Sequence, residues 1–335
     1  MRNSIKFLLL LVFAGISLAL YLDWTRDRRS GPLLSDLRTL PIDSQGLPGS
    51  AGNLLGIETR LQPADYQSRE RLQLKFATYL QQAADAGLLN GKTIVVLPEH
   101  VGTGLFALGE KPEVQQARTL RDAMQWMALS NPGRYLRALT GHQGDDRRTG
   151  AVLQLKARQM AEDYQSIFGG LARHFGVTLV AGSIVLPEPY LDGQRLRVGK
   201  GPLRQVSLTF DIHGKPLGPL QYKHALSRYE RRYSVAPDHE RRPLIDTPAG
   251  ALAVLLGCDA YRQRPPGEAK LLAIPGASAE PQAHCGAARR DMPGDIPYMA
   301  VHTLGLPWNL LGSPRRPALP NHGTPVQLRN LWLGE

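Results

Sequence analysis

A chain of 335 residues, 42% hydrophobic and 21% charged, can bury a full core as one large or two modest domains, and its composition excludes wholesale disorder. The formal charge of +11 biases it towards anionic partners or an acidic membrane surface. No RNA-binding signature, zinc-finger spacing or interleaved basic and aromatic stripe accompanies that charge, which sets nucleic acid aside as a partner.

Phe7 to Leu22 (FLLLLVFAGISLALYL) is uncharged and apolar, with Arg2 and Lys6 before it and Trp24 beyond it. Completed by Trp24 at the interface, the run approaches the roughly 20 residues that cross a bilayer. A cleaved signal peptide is the competing reading, but LALYLDW offers no convincing small-x-small site. The expectation is a single-pass inner-membrane anchor over residues 1–29, a short positive N-terminus inside and the globular body exported to the periplasmic side. Arg26, Arg28 and Arg29 after the segment weaken the charge asymmetry that sets this orientation. Residues 30–52, rich in Gly, Pro and Ser, read as a linker, and 53–335 as one globular domain.

Within that domain NLLGIET reads as a strand, and Leu72, Leu74, Phe76, Tyr79 and Leu80 recur with roughly helical spacing from Asp65, a plausible cap, to Ala86. TIVVLPE is a buried-type strand ending at Glu99. A mostly helical stretch fills Leu105 to Phe175; its Met124, Trp126, Met127 and Leu129, near Arg134 and Arg137, suit an outer helical layer, or a lid or membrane-surface element. VTLVAGSIVLP is a strand pair broken at Gly182. VSLTFDIHGKPLGPLQYKHAL is a hairpin turning at His213–Gly214 and ending in Lys223. LIDTPAGALAVLLGCD repeats that form and runs into Cys258, after which LLAIP and IPYMAVHTLG supply two more strands.

Three apolar runs thus end on a carboxylate (Glu99), an amine (Lys223) and a thiol (Cys258), in that order. Strand ends that deliver distant residues to one place commonly build active sites. The order and its flanks, VVLPEHVGTG, GPLQYKHAL and DTPAGALAVLLGCD, resemble the nitrilase, or carbon–nitrogen hydrolase, superfamily over about Asn53 to Ala277. The resemblance implies an α/β fold, a four-layer α-β-β-α sandwich, here preceded by one N-terminal transmembrane helix. It further implies an amidase that cleaves a non-peptide C–N bond through a cysteine acyl-enzyme. Cys258 would attack, Glu99 would act as general base, and Lys223 would stabilise the oxyanion. Glu230 matches the second glutamate found a few residues beyond the family's lysine and would orient Lys223 or assist the second step. A small amide or acyl substrate is expected, with no cofactor and no metal; family members commonly dimerise, so a homodimer is among the expected assemblies. In setting, the nearest counterpart is the nitrilase-like domain of apolipoprotein N-acyltransferase, which makes membrane N-acyl transfer an alternative outcome.

One departure stands out. In the family the cysteine is the seventh residue past the glycine of the TP-x-G turn, whereas counting from Gly250 the seventh is Gly257 and Cys258 the eighth. In a regular strand that shift turns the side chain to the opposite face, while a bulge at the strand exit restores it. An inactive nitrilase-fold binding protein therefore stands beside the enzyme reading. The segment between Cys258 and LLAIP is also short, only DAYRQRPPGEAK. Cys258 and Cys285 could pair in an oxidising compartment, but a domain of this size does not need the staple, and Cys285 reads as an incidental thiol.

Overall fold

The computed structural model describes residues 2–28, 35–141, 145–238, 242–262, 264–276, 285, 296–318 and 325–334. The chain opens with helix α1 (Arg2–Arg26), whose apolar side chains are exposed along its length. Strand β1 (Asp43–Gln45) follows, then β2 (Asn53–Glu58), helix α2 (Arg69–Asp85) and β3 (Thr93–Val96). Four helices come next: α3 (Pro112–Gln116), α4 (Leu120–Ser130), α5 (Pro132–Gly141) and α6 (Arg147–Phe175). Strands β4 (Thr178–Val180), β5 (Ile184–Asp192), β6 (Arg195–Phe210), β7 (Pro216–Tyr222), β8 (Ile245–Thr247) and β9 (Gly250–Val254) lead to the short helix α7 (Asp259–Arg262). The last strands are β10 (Leu271–Pro275), β11 (Tyr298–Val301) and β12 (Gln327–Trp332).

Local chemistry explains the boundaries that place the later site. Ser68 caps α2 by accepting from the Arg71 N–H, and Asp146 caps α6 by accepting from the Thr149 N–H. Gly176 ends α6 in the left-handed conformation that favours glycine. Leu72, Phe76, Tyr79, Leu80 and Ala83 form the buried stripe of α2, spaced as one face of a helix.

The strands form two sheets. The larger runs β1-β12-β2-β3-β4-β6-β5, with β7 also pairing β6; the smaller runs β11-β10-β9-β8. β2, β3 and β4 pair in parallel, as do β9, β10 and β11, whose side chains must be covered on both faces. Leu54, Ile94, Val96 and Val180 of the large sheet pack on Leu252, Val254, Leu271 and Met299 of the small one, which makes the dry seam between sheets. Val95 and Leu179, one residue along and so on the opposite face, pack with Phe76, Tyr164 and Phe168 of α2 and α6. The outer face of the small sheet gathers Leu255, Leu272 and Ile274 against Ala260 of α7. The architecture is a mixed α/β sandwich of two facing sheets with helices outside. Its fourth layer, among the described residues, is the four residues of α7.

Two features lay beyond the sequence reading. The stretch expected to be a linker (residues 30–52) supplies β1, which pairs in parallel with β12. β12 itself, LRNLW at its heart, lies antiparallel beside β2 and ties the chain's end into the large sheet. The hairpins ending near Lys223 and Cys258 form as their turn residues predict.

Candidate active site

Glu99 follows β3 by three residues, and Lys223 follows β7 by one. Glu99 is fixed by its backbone, because its N–H donates to the Gly276 carbonyl at 2.9 Å just past β10. Lys223 likewise donates its N–H to Gln205 O of β6 at 3.0 Å. The two side chains meet with Lys223 Nζ 2.9 Å from Glu99 Oε1. Glu230, in a single 3-10 turn (Glu230–Arg232), brings its Oε1 to 2.7 Å from the same ammonium. All three are buried, and the cluster is closed further by polar neighbours. Gln205 Nε2 donates to Glu99 Oε1 at 3.0 Å and to Ser183 Oγ at 2.9 Å. The Ser227 N–H donates to Glu230 Oε2 at 2.7 Å, and His100 Nε2 lies 3.2 Å from Glu230 Oε1.

The charge states follow from this crowding. Burial pushes the Glu99 carboxyl up, Lys223 opposes that shift, and Glu230 reinforces it. Burial acts the same way on Glu230, but Lys223 and His100 outweigh it and hold its carboxyl well below the usual range. Burial works to discharge Lys223, yet the two glutamates override it and keep the ammonium firmly protonated. One cation thus serves two carboxylates, with the Glu99 carboxyl shifted up and the Glu230 carboxyl shifted down.

The third expected member is placed differently. Cys258 Sγ is bonded to Cys285 Sγ, with the Cα atoms 5.3 Å apart. Cys258, expected as nucleophile, therefore has no thiol in this structure, and Cys285, expected as incidental, is its partner. The reason lies one residue earlier. Gly257 has φ +48, and a Cβ built on it would fall 2.7 Å from Glu99 Oε1. Glycine tolerates both that backbone and that proximity, whereas a larger residue would collide with the carboxylate. The strand exit after β9 thus brings Gly257 against Glu99.

Asp259, next along the chain from Cys258, is buried. It accepts from the His224 N–H at 3.0 Å and from the Ala225 N–H, pinning the chain just after Lys223. Burial raises its carboxyl to about 6, against those two donors. His100, Gln205 and Ser183 were not legible as site residues. His100 takes a left-handed φ of 61°, uncommon outside glycine, while its N–H donates to Ser183 Oγ and its ring Nδ1 lies 3.2 Å from Thr103 Oγ1. The only signal in the sequence was its adjacency to Glu99. Among the described residues no group of His, Cys, Asp and Glu is arranged to hold a metal ion.

No family model and no curated protein matches the sequence. Among solved structures the chain is similar to an amidase of the nitrilase superfamily from Nesterenkonia AN1, in a cysteine-to-alanine variant. Identity is 17%, coverage 71% of this chain and 70% of that one, and the TM-score 0.40. A carbon–nitrogen hydrolase from Helicobacter pylori shows 17% identity over 68% of this chain and 60% of its own, with a TM-score of 0.41. A glutamate-to-glutamine variant of the Nesterenkonia amidase, showing covalent addition of the acetamide moiety of fluoroacetamide at its active-site cysteine, is 16% identical. It covers 71% of each chain with a TM-score of 0.40.

Proposed function

We propose that this chain is a membrane-anchored, exported nitrilase-fold protein that keeps the acid–base half of an amidase centre, lacks the nucleophile, and works by binding rather than by cleaving amides. The observation that carries this reading is the position of Gly257: the residue beside Glu99 has no side chain, and the neighbouring sulfur is committed to Cys285. Acyl transfer through cysteine needs a thiolate, and in the oxidised form the Cys258 sulfur is not one.

The enzyme reading keeps one argument, the convergence of Glu99, Lys223 and Glu230. On that reading reduction frees Cys258, Glu99 takes its proton, and the thiolate attacks an amide or acyl carbon. Lys223 supports the oxyanion, the amine leaves with the proton from Glu99, and water or an acceptor amine resolves the thioester. Anchoring rests on α1, where Ser4–Arg26 is long and apolar enough to cross a membrane and none of its apolar window is buried. Export to an oxidising compartment is in keeping with the disulfide.

Fluoroacetamide distinguishes binding from chemistry, because fluoride is a poor leaving group and an unassisted thiol displaces it slowly. The full chain is treated before and after mild reduction and the adduct located by peptide mass. The binding reading expects no adduct on the oxidised protein and, after reduction, slow alkylation of Cys258 that Glu99→Gln leaves unchanged. Alkylation of Cys258 that falls roughly 100-fold or more in Glu99→Gln, the scale of general-base assistance, would establish the enzyme instead.

A further inference from the structure

The junction between α1 and the globular body is built, not merely tethered. Lys111 donates from Nζ to the Trp24 carbonyl at 2.6 Å and the Asp27 carbonyl at 2.7 Å, capping the C-terminal end of α1, and lies 4.3 Å from the Trp24 ring centre. Trp24 Nε1 donates to Glu113 Oε1, and its ring lies 6.2 Å from that of Trp126 on α4. Tyr21 donates its hydroxyl to the Leu129 carbonyl of the same helix. Arg28 pairs with the buried Glu110, which Lys156 of α6 also holds at 2.9 Å, and donates to Ser130 O and Asn131 Oδ1 between α4 and α5. The last turns of α1 are thus fixed to α4.

That attachment sets the depth of α4 and α5. A helix of 25 residues is about 37 Å long, enough to cross a hydrocarbon core of about 30 Å with its last turns at the headgroups. Tyr21 and Trp24 in those turns are interface residues by chemistry. On α4 the side chains of Trp126 and Leu129 are exposed three residues apart, and on α5 Leu136 is exposed at 62% with exposed Arg134 and Arg137 beside it in sequence. Apolar side chains flanked by arginine suit the boundary between anionic headgroups and acyl chains.

We infer that α4 and α5 form a membrane-surface platform, continuous with the root of α1, that dips Trp126, Leu129 and Leu136 into an anionic bilayer and holds the globular body in one orientation. The inference rests on the anchored reading above and adds to it a second, peripheral contact.

The test uses the full chain with Leu136→Cys or, as a reference on the small sheet, Tyr298→Cys. The introduced thiol is labelled without reductant by an environment-sensitive fluorophore, with unsubstituted chain as the labelling blank. Vesicles are phosphatidylethanolamine and phosphatidylglycerol carrying a nitroxide lipid labelled near the headgroup, and flotation after carbonate washing reports anchoring separately. Expected are flotation of both variants, several-fold stronger nitroxide quenching at position 136 than at 298, and reduced quenching when Arg134→Gln and Arg137→Gln are combined or phosphatidylcholine replaces phosphatidylglycerol. Flotation with equal quenching at the two positions overturns the platform and leaves the anchor standing. Shielding of the 136 probe from solvent without nitroxide quenching also overturns it, and identifies a second copy of the chain as the cover. Loss of flotation overturns the anchor and the platform together.

Discussion

The cluster around Lys223 and the turn after β9 meet at Glu99, yet they differ in how each is held. In the cluster every charge has a buried partner: Lys223 lies between Glu99 and Glu230, Gln205 and His100 approach the same Oε1 oxygens that it contacts, and the Ser227 N–H donates to Glu230 Oε2. At the turn Gly257 presents only backbone to Glu99, and the sulfur of Cys258 is bonded to Cys285. Interdependence explains the contrast. Removing one member of a buried ion network strands the others at a large cost, so the three charged residues can persist together for folding reasons alone. A thiol carries no such penalty when it is lost or moved. Retention of Glu99, Lys223 and Glu230 is therefore one observation and not three independent arguments for catalysis.

The strongest way to break that account is Lys223→Ala. It leaves two carboxylates buried side by side, and the expected loss is about 3–5 kcal/mol of unfolding free energy, read from urea denaturation at neutral pH. Lys223→Ala combined with Glu99→Gln and Glu230→Gln should recover part of the loss, because no buried charge is then unpaired. A loss below about 1 kcal/mol, the scale of an exposed pair, would show that the cluster is wetter and less interdependent than its burial indicates.

Much of this site was legible beforehand. Glu99 and Lys223 end apolar runs that read as buried strands, and strand ends on one edge of a sandwich converge. The displacement of Cys258 was also legible, by counting from Gly250 to Gly257. Other parts depend on information a single sequence does not carry. Two cysteines 27 residues apart pair or stay free according to compartment and to the path of the intervening chain. β1, three exposed polar residues, has no hydrophobic pattern and exists because β12 offers an edge. The left-handed backbone of His100 is imposed by Ser183 and Glu230, which lie far away in sequence.

The Cys258–Cys285 bond closes a loop across a separation of 27 residues, for which the chain-entropy relation gives about 3.5 kcal/mol of stabilisation. Cys258→Ala with Cys285→Ala should lower the urea midpoint accordingly, and reductant should do the same to the unsubstituted chain while leaving the double variant unmoved. If the double variant shows no loss, the disulfide is not a stabilising staple and the turn holds its shape through Gly257 and Asp259 alone.

Asp259 joins the two regions, since it follows Cys258 and binds the backbone just after Lys223, and its titration gives the smallest and most specific effect. Burial raises its folded pKa from 3.8 to about 6, so the folded protein holds this proton more tightly than the unfolded chain does. The resulting stability is fully present below about pH 4, is lost as pH rises towards 6, and changes no further above that. A displacement of about two units corresponds to at most about 3 kcal/mol across that window. Measured as unfolding free energy against pH, the stability of the unsubstituted chain relative to Asp259→Asn should decline from pH 4 to pH 6 and then level off. The opposite slope would mean that the backbone donors of His224 and Ala225, and not burial, govern this carboxylate. The turn would then be held, like the cluster, by a charge that folding favours.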